Sequence, residues 1–408
     1  MMNQNKVLFI GRVWPEPTSS AAGTRMLQLI DFFAERYDEV IFSCPATKTE
    51  ASYLPDYKNL SQRQIEINSN TFNDFISDLK PDIVVYDRFV SEEQFGWRVR
   101  QESPDTLEIL DTEDLHFLRF AREKAYKHKT ETDHYNEITI REIASILRCD
   151  LSLIISEFEM KLLTEEFNIS PSLLHYLPFI EDLSKIDFSQ NLEFEERKDF
   201  IFIGNFLHSP NLETVLRLKK EIWPEIQKKL KGTKLNIYGA YPTQRVYDLN
   251  SEKDNFLIHG KTENALEVIA KSRLMLAPIP YGAGIKGKFT DAMKTGCPVA
   301  TTTVGAEAMF EDDFPGIIED DLTEFVQKSI QLYLDKEFWT AAQSKGYEIL
   351  KKKFDGKLFI NIFNDLIIDL QDNIANHRKN NFTGNILKQN QFNALKYMSL
   401  WIEEKNKP

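Results

Sequence analysis

Between Tyr281 and Thr303 the chain reads YGAGIKGKFTDAMKTGCPVATTT. Glycines at 282, 284 and 287 let backbone amides come close to a ligand, and the start of a helix aims its first amides at an anion. Lys286 and Lys288 bring two ammonium groups to the same turn, a charge suited to a diphosphate. Asp291, one turn further on, can accept hydrogen bonds from ribose hydroxyls. These types and spacings predict a site for a phosphorylated ligand. The plainer alternative is a surface turn with two solvated lysines.

A second set of titratable groups lies in the first half. Asp111–Arg122 reads DTEDLHFLRFAR directly after an apolar run, Leu107–Leu110. Carboxyl ends of strands line the cleft of α/β sheets, so Asp111, Asp114 and His116 are expected on a cleft wall. His116 is the candidate for handling a hydroxyl proton or touching a transferred group. The alternative is structural, with Asp111 and Asp114 capping a helix, His116 packed beside Phe117, and Arg119 and Arg122 paired with nearby acids. Ser19–Arg25 (SSAAGTR) precedes the first helix, where Ser19 or Ser20 caps and Gly23 leaves the backbone accessible. Ser156 with Glu159 three residues on predicts a capping box and no chemistry. His208, in the turn FLHSPN, is either a phosphate contact or a surface histidine.

Positioning such groups requires rigid strands, and the hydrophobic pattern supplies them. Apolar runs Lys6–Ile10, Glu39–Ser43, Ile83–Tyr86, Leu107–Leu110 and Leu151–Ile155 alternate with amphipathic stretches Thr24–Glu35, Phe72–Leu79 and Thr139–Leu147. The pattern restarts after the polar stretch Asp187–Asp199. It then gives Phe200–Ile203, Lys234–Tyr238, Phe256–Ile258, Leu274–Pro278, Pro298–Thr302 and Gly316–Ile318, with helices Leu212–Lys229 and Ala265–Lys271 between. Short apolar runs joined by helices indicate parallel, doubly wound sheets. Two α/β domains are therefore expected, 1–185 and 200–370, with a cleft between them as the ligand site. Leu358–Leu370 and Asn393–Glu404 read as helices separated by a polar, Asn-rich stretch, Asp372–Asn390. The last helix, within a tail at 371–408, presents Leu395, Met398 and Ile402 on one face and needs a surface such as the first domain.

Composition narrows the function. With 408 residues, 42% hydrophobic and 28% charged, the chain is globular and long enough for two cores. A net charge of -13 argues against nucleic-acid binding. Cys44, Cys149 and Cys297 stand far apart without metal-like spacing and read as buried thiols of a reducing compartment. No run approaches the ~20 apolar residues of a bilayer span, so a cytoplasmic protein is expected, with peripheral membrane association open.

The lysine turn and the DAM that follows resemble the group 1 glycosyltransferases of the GT-B fold, in the branch with a Gly-x-Gly-x-Lys-x-Lys turn. Phe202–Asn211 (FIGNFLHSPN), Glu221–Pro224 (EIWP), Leu235–Pro242, Phe256–Lys261 and Ala277–Pro280 follow in the family's order, and Asp111–Arg122 resembles an acidic stretch of the same branch. The resemblance implies two Rossmann-like domains, the first binding an acceptor and the second a nucleotide sugar, with the last helix crossing back onto the first domain. It implies donor contacts at Gly23, Gly204, Asn205, Gly239, Gly260, Lys261, Gly284, Ile285, Lys286, Lys288 and Asp291. Glu307 stands where the branch is often acidic. Catalytic roles fall to His116, Asp114 and Lys286, the lysine stabilising the departing diphosphate.

By resemblance the reaction is a metal-independent, retaining transfer from a UDP- or GDP-sugar to a glycan, lipid-linked or protein-linked acceptor, in polysaccharide or glycoprotein assembly. No tightly bound cofactor is implied. The family commonly has glutamates at the positions of Ala283 and Asp291. A sugar-nucleotide epimerase of the same architecture, or a binding module without catalysis, are the alternatives, the latter favoured by Ala283.

Overall fold

The computed structural model describes residues 5–309 and 314–406, without the side chains of 390–395. Its first sheet contains β1 (Lys6–Ile10), β2 (Glu39–Cys44), β3 (Leu60–Gln64), β4 (Ile83–Asp87), β5 (Leu107–Asp111), β6 (Leu151–Ile154) and β7 (Leu174–Tyr176). The spatial order is β3-β2-β1-β4-β5-β6-β7, every pairing parallel. The second sheet contains β8 (Lys198–Ile203), β9 (Leu235–Tyr238), β10 (Phe256–Gly260), β11 (Ser272–Ala277), β12 (Val299–Thr301) and β13 (Gly316–Ile318). Its order is β10-β9-β8-β11-β12-β13, again all parallel.

Both sheets reverse strand order once, between β1 and β4 and between β8 and β11. Crevices at such switch points are where open parallel sheets bind ligands, because the flanking loops splay to opposite faces. The central strands are fully buried on both faces, which is why they read as unbroken apolar runs. Two strands escaped that reading for the same reason in reverse. β3 (LSQRQ) is a polar edge strand, largely exposed, and β7 has only three residues.

Other differences have local causes. The helix expected at Leu212–Lys229 is interrupted by a widened π-helical turn, Leu218–Ile222, directly before Trp223-Pro224. Proline lacks an N–H and crowds the preceding turn, and the wider turn accommodates it. The stretch Asp372–Asn390 is helical apart from a kink at Asn373 and a break at Asn381, forming parts of helices Ile360–Asn380 and Phe382–Lys405.

The chain crosses back earlier than residue 371. Glu181 and Asp355 form a β-bridge where the two connections pass each other, and Phe363, Ile367 and Leu370 already pack into the first domain's core. Phe363 lies against Phe32 at a ring distance of 4.8 Å. The last helix does cover the first domain, but through polar contacts. Arg98 donates to Ser399 at 2.8 Å and Glu403 at 2.6 Å, while Met398 is 56% exposed. The side chain of Leu395 lies outside the described residues.

Candidate functional site

The lysine turn follows β11 at the second switch point and is wedged between the domains. Gly284 has a left-handed backbone (φ 63°), and a β-carbon there would come within 2.7 Å of that of Asp114. Only glycine allows this approach of the turn to the first domain. The Gly284 amide donates to Oε1 of Glu159 at 2.8 Å, and the same oxygen accepts the Leu115 amide at 3.1 Å. Arg122 holds the turn from the other side, donating to the Gly282 carbonyl at 2.8 Å and to both carboxylate oxygens of Glu307 at 2.7 Å. Ala283 is buried within the hydrophobic cluster of the first domain. That packing is a physical reason for alanine here, since a glutamate would put a charge into an apolar contact.

The two lysines emerge from this frame beside the helix Gly287–Lys294. Lys286 Nζ donates to the Gly284 carbonyl at 2.8 Å and lies 3.4 Å from that of Ala283. Lys288 Nζ donates to Oδ1 of Asn211 at 2.6 Å and sits 4.3 Å above the Phe202 ring. Among the described residues neither is in an ion pair. Burial pushes Lys286 down to about 8 despite the opposing pull of Glu307. It pushes Lys288 down to about 7, with Lys286 adding to the effect. Both ammonium groups therefore lack a full counter-charge, and an anion would supply it.

The facing wall comes from the first domain. Asp111 ends β5 and is fully buried, bound by Arg25 Nε at 2.9 Å. It is therefore a buried structural anchor. Asp114 pairs with Arg119 and lies 3.5 Å from His116 Nε2. Burial alone would raise Asp114, but Arg119 and then His116 hold it down to about 2. Burial pushes His116 down to about 3, against the pull of Asp114. The imidazole is thus neutral at physiological pH, a poor base but a serviceable hydrogen-bond partner for a hydroxyl. Its ring meets Phe89 edge-on at 5.5 Å, and its backbone amide is held by Glu142.

Three glycines expected at the donor site converge. Gly204 and Gly239 follow β8 and β9, and Gly260 ends β10. Gly239 donates to the Gly260 carbonyl at 2.8 Å, and a β-carbon on Gly239 would come within 2.0 Å of the Gly204 carbonyl oxygen. Asn205 braces its own turn, accepting from the Leu207 amide at 2.8 Å. His208 is exposed at the start of the helix Ser209–Arg217, and Lys261 is exposed beyond β10. Ser20 caps the first helix through the Gly23 amide at 3.1 Å, so that amide is occupied. The Ile285 side chain belongs to the second domain's core. Asp291 is turned toward Lys294 at 3.1 Å, and Lys294 in turn binds Glu181 at 2.8 Å.

Glu159 is the residue whose place the sequence pattern concealed. Ser156 does cap its helix, accepting from the Glu159 amide at 3.3 Å. The Glu159 carboxylate, however, leaves the cap and joins the two domains. Burial pushes it up to about 7, with Asp114 adding and the two amides opposing. The pairing of Arg122 with Glu307, 185 positions apart, likewise carries no local signal. A third link spans the cleft mouth, where the Tyr241 hydroxyl donates to Glu16 at 2.6 Å.

Residues 197–335 match the family described as Glycosyl transferases group 1. No curated protein matches the chain's sequence. Sucrose-phosphate synthase from Thermosynechococcus elongatus superposes with a TM-score of 0.68 at 14% identity, covering 90% of this chain and 99% of that one. Anabaena HepE in complex with UDP and glucose gives 0.63 at 12%, covering 92% and 99%. S. aureus TarM in complex with Fondaparinux, alpha-GlcNAc-glycerol and UDP gives 0.58 at 14%, covering 72% of this chain and 58% of that longer one. At such identities the likeness speaks for the fold. The chain is therefore of the GT-B fold, and its residues 197–335 are similar to the group 1 glycosyltransferases.

Proposed function

We propose that this protein is a retaining, metal-independent glycosyltransferase that moves a sugar from a nucleoside-diphosphate sugar to a carbohydrate or lipid-linked acceptor. The observation that carries the reading is the pair Lys286 and Lys288. Two cations at a helix start, inside an interdomain cleft, have only neutral oxygens as partners. A diphosphate satisfies both, and its charge grows as the bond to the sugar breaks, so the same contacts stabilise the transition state. Gly204 and Gly239 give the nucleotide close backbone access, and Glu307 and Asp291 are the candidate acids for its ribose hydroxyls. HepE holding UDP with glucose, and TarM holding UDP, support a uridine donor.

In this reading His116 touches the transferred sugar and Asp114 fixes its ring. The bond from the anomeric carbon to the phosphate oxygen breaks, and the bond to the acceptor oxygen forms on the same face. The acceptor proton passes to the departing phosphate. Ala283, packed into the first domain, leaves no carboxylate at that position to form a covalent intermediate. The test is incubation with a panel of UDP- and GDP-sugars, following nucleoside diphosphate release with and without candidate glycans. Release that depends on acceptor supports transfer. Epimerised donor, or binding without turnover across the panel, would overturn it.

A further inference from the structure

The second sheet's switch point holds the lysine turn, and the first sheet has a switch point of its own with different chemistry. Arg12 lies two residues beyond β1, and Arg88 directly follows β4, so arginines flank the crevice where that sheet reverses order. Asp87 ties them together. Its Oδ2 accepts the Arg12 amide at 3.0 Å, and its Oδ1 lies 3.6 Å from Arg88 Nε. Among the described residues neither guanidinium donates a hydrogen bond to any side chain or carbonyl. Arg88 also has a left-handed backbone (φ 67°), a conformation that disfavours a long side chain and concentrates at functional sites.

The two arginines differ in compensation: burial and then Arg88 lower Arg12 against the pull of Asp87, whereas Arg88 is raised because Asp87 and the acids beyond it outweigh its burial. Asp111 is bound by Arg25, and Asp114 is paired with Arg119. Glu113 is buried, and burial, with Asp111 adding, holds it well above the usual carboxylate range and uncharged at neutral pH. Asp87 is the acid in direct contact with both arginines. The site adjoins the proposed reaction centre, because Phe89, next to Arg88, carries the His116 ring, and Asp114 touches Gly284 of the lysine turn. A chain with net charge -13 repels anions on balance, so an anionic ligand is favoured at a local cationic pair.

We infer that the acceptor carries an oxyanion, phosphate or carboxylate, and that Arg12 and Arg88 bind it at the switch point of the first sheet. The inference rests on the second domain holding the donor. Guanidinium groups suit such oxyanions because their donors are planar and forked. An anionic sugar on the donor is the other source of the same chemistry.

The experiment is calorimetric titration of the UDP-saturated protein with glucose 6-phosphate, glucuronate and glucose. The two anions are expected to bind measurably tighter than glucose. Arg12→Ala, an exposed change that leaves the core intact, is expected to weaken them several-fold, and Arg12→Ala with Arg88→Gln by about tenfold or more. UDP affinity should stay unchanged. Equal binding of glucose and glucose 6-phosphate, or anion binding unaffected by the variants, overturns the inference. Glucose 6-phosphate binding that UDP abolishes places the anion on the lysines and overturns it too, leaving the donor reading intact. Arg12→Ala weakening UDP-glucuronate but not glucose 6-phosphate assigns the arginines to the donor, again against the inference. If UDP does not bind at all, the donor reading fails, while glucose 6-phosphate added to the UDP-free protein still tests the arginines.

Discussion

The two walls of the cleft treat charge differently. On the second-domain wall Lys286 and Lys288 are held against carbonyl and amide oxygens, and both are depressed toward neutrality. On the first-domain wall Asp111 meets Arg25 and Asp114 meets Arg119, while Arg12 and Arg88 both contact Asp87. A buried cation without a counter-charge destabilises the empty fold and is tolerated where a ligand completes it. A buried acid already paired with arginine is complete without a ligand. The difference teaches that the second-domain wall is built around charge awaiting a ligand, whereas most of the first-domain wall's charge is already spent on fixing geometry.

The comparison breaks first at the lysines. Lys286→Ala with Lys288→Ala is expected to lower UDP affinity by about a hundredfold or more, since each charge-assisted contact to phosphate contributes roughly 1.5–3 kcal/mol. Calorimetry checks it, and undiminished affinity would remove the diphosphate from this turn. Removing the charges should also stabilise the unliganded protein, the reverse of what loss of an acid on the opposite wall would do.

A pH series sharpens the same point. Phosphate is held by protonated lysine, and the free-state values near 7 and 8 mean that binding requires proton uptake above neutrality. UDP affinity is therefore highest below pH 7 and falls as pH rises through 7 and 8, by on the order of tenfold or more between 6.5 and 8.5. Repeating the titration at pH 8 in buffers of different ionisation enthalpy should reveal uptake of roughly one to two protons per UDP. A flat profile would mean that the lysines stay charged when the site is empty.

Glu159 tests the link between the walls. Glu159→Ala leaves the Gly284 and Leu115 amides without their acceptor and should cost about 1–2 kcal/mol in denaturant unfolding. Glu159→Gln keeps the oxygen and should recover most of that loss. Equal loss in both variants would point to the carboxylate's charge and not to the two hydrogen bonds.

The sheet's central strands and the lysine turn were legible because their signals are local. An unbroken run such as Ile83–Tyr86 must be buried on both faces, and three glycines with two lysines constrain a turn wherever it lies. What escaped depends on the other domain. Glu159 satisfies a capping pattern by sequence, yet its side chain is drawn to an amide 125 positions away. The exchange of a glutamate for Ala283 makes sense only once the turn is seen packed into the first domain's core.

The weakest link should be the one at the cleft mouth. Tyr241, itself left-handed (φ 56°), donates to Glu16, which also accepts from the Thr49 hydroxyl. The Glu16 carboxylate thus gathers two hydroxyls, one from each domain, at an exposed position where water competes. Tyr241→Phe removes only the cross-domain contact and should lower the stability by about 0.5 kcal/mol, within the scatter of unfolding experiments. Its effect belongs instead to the closed geometry. A pair of dyes on Lys48 and Lys261, introduced through cysteines, should report a broader distance distribution in Tyr241→Phe, narrowing again on addition of UDP. If the distribution does not change, the other contacts between the domains hold them without Tyr241, and the two walls meet rigidly behind the lysine turn.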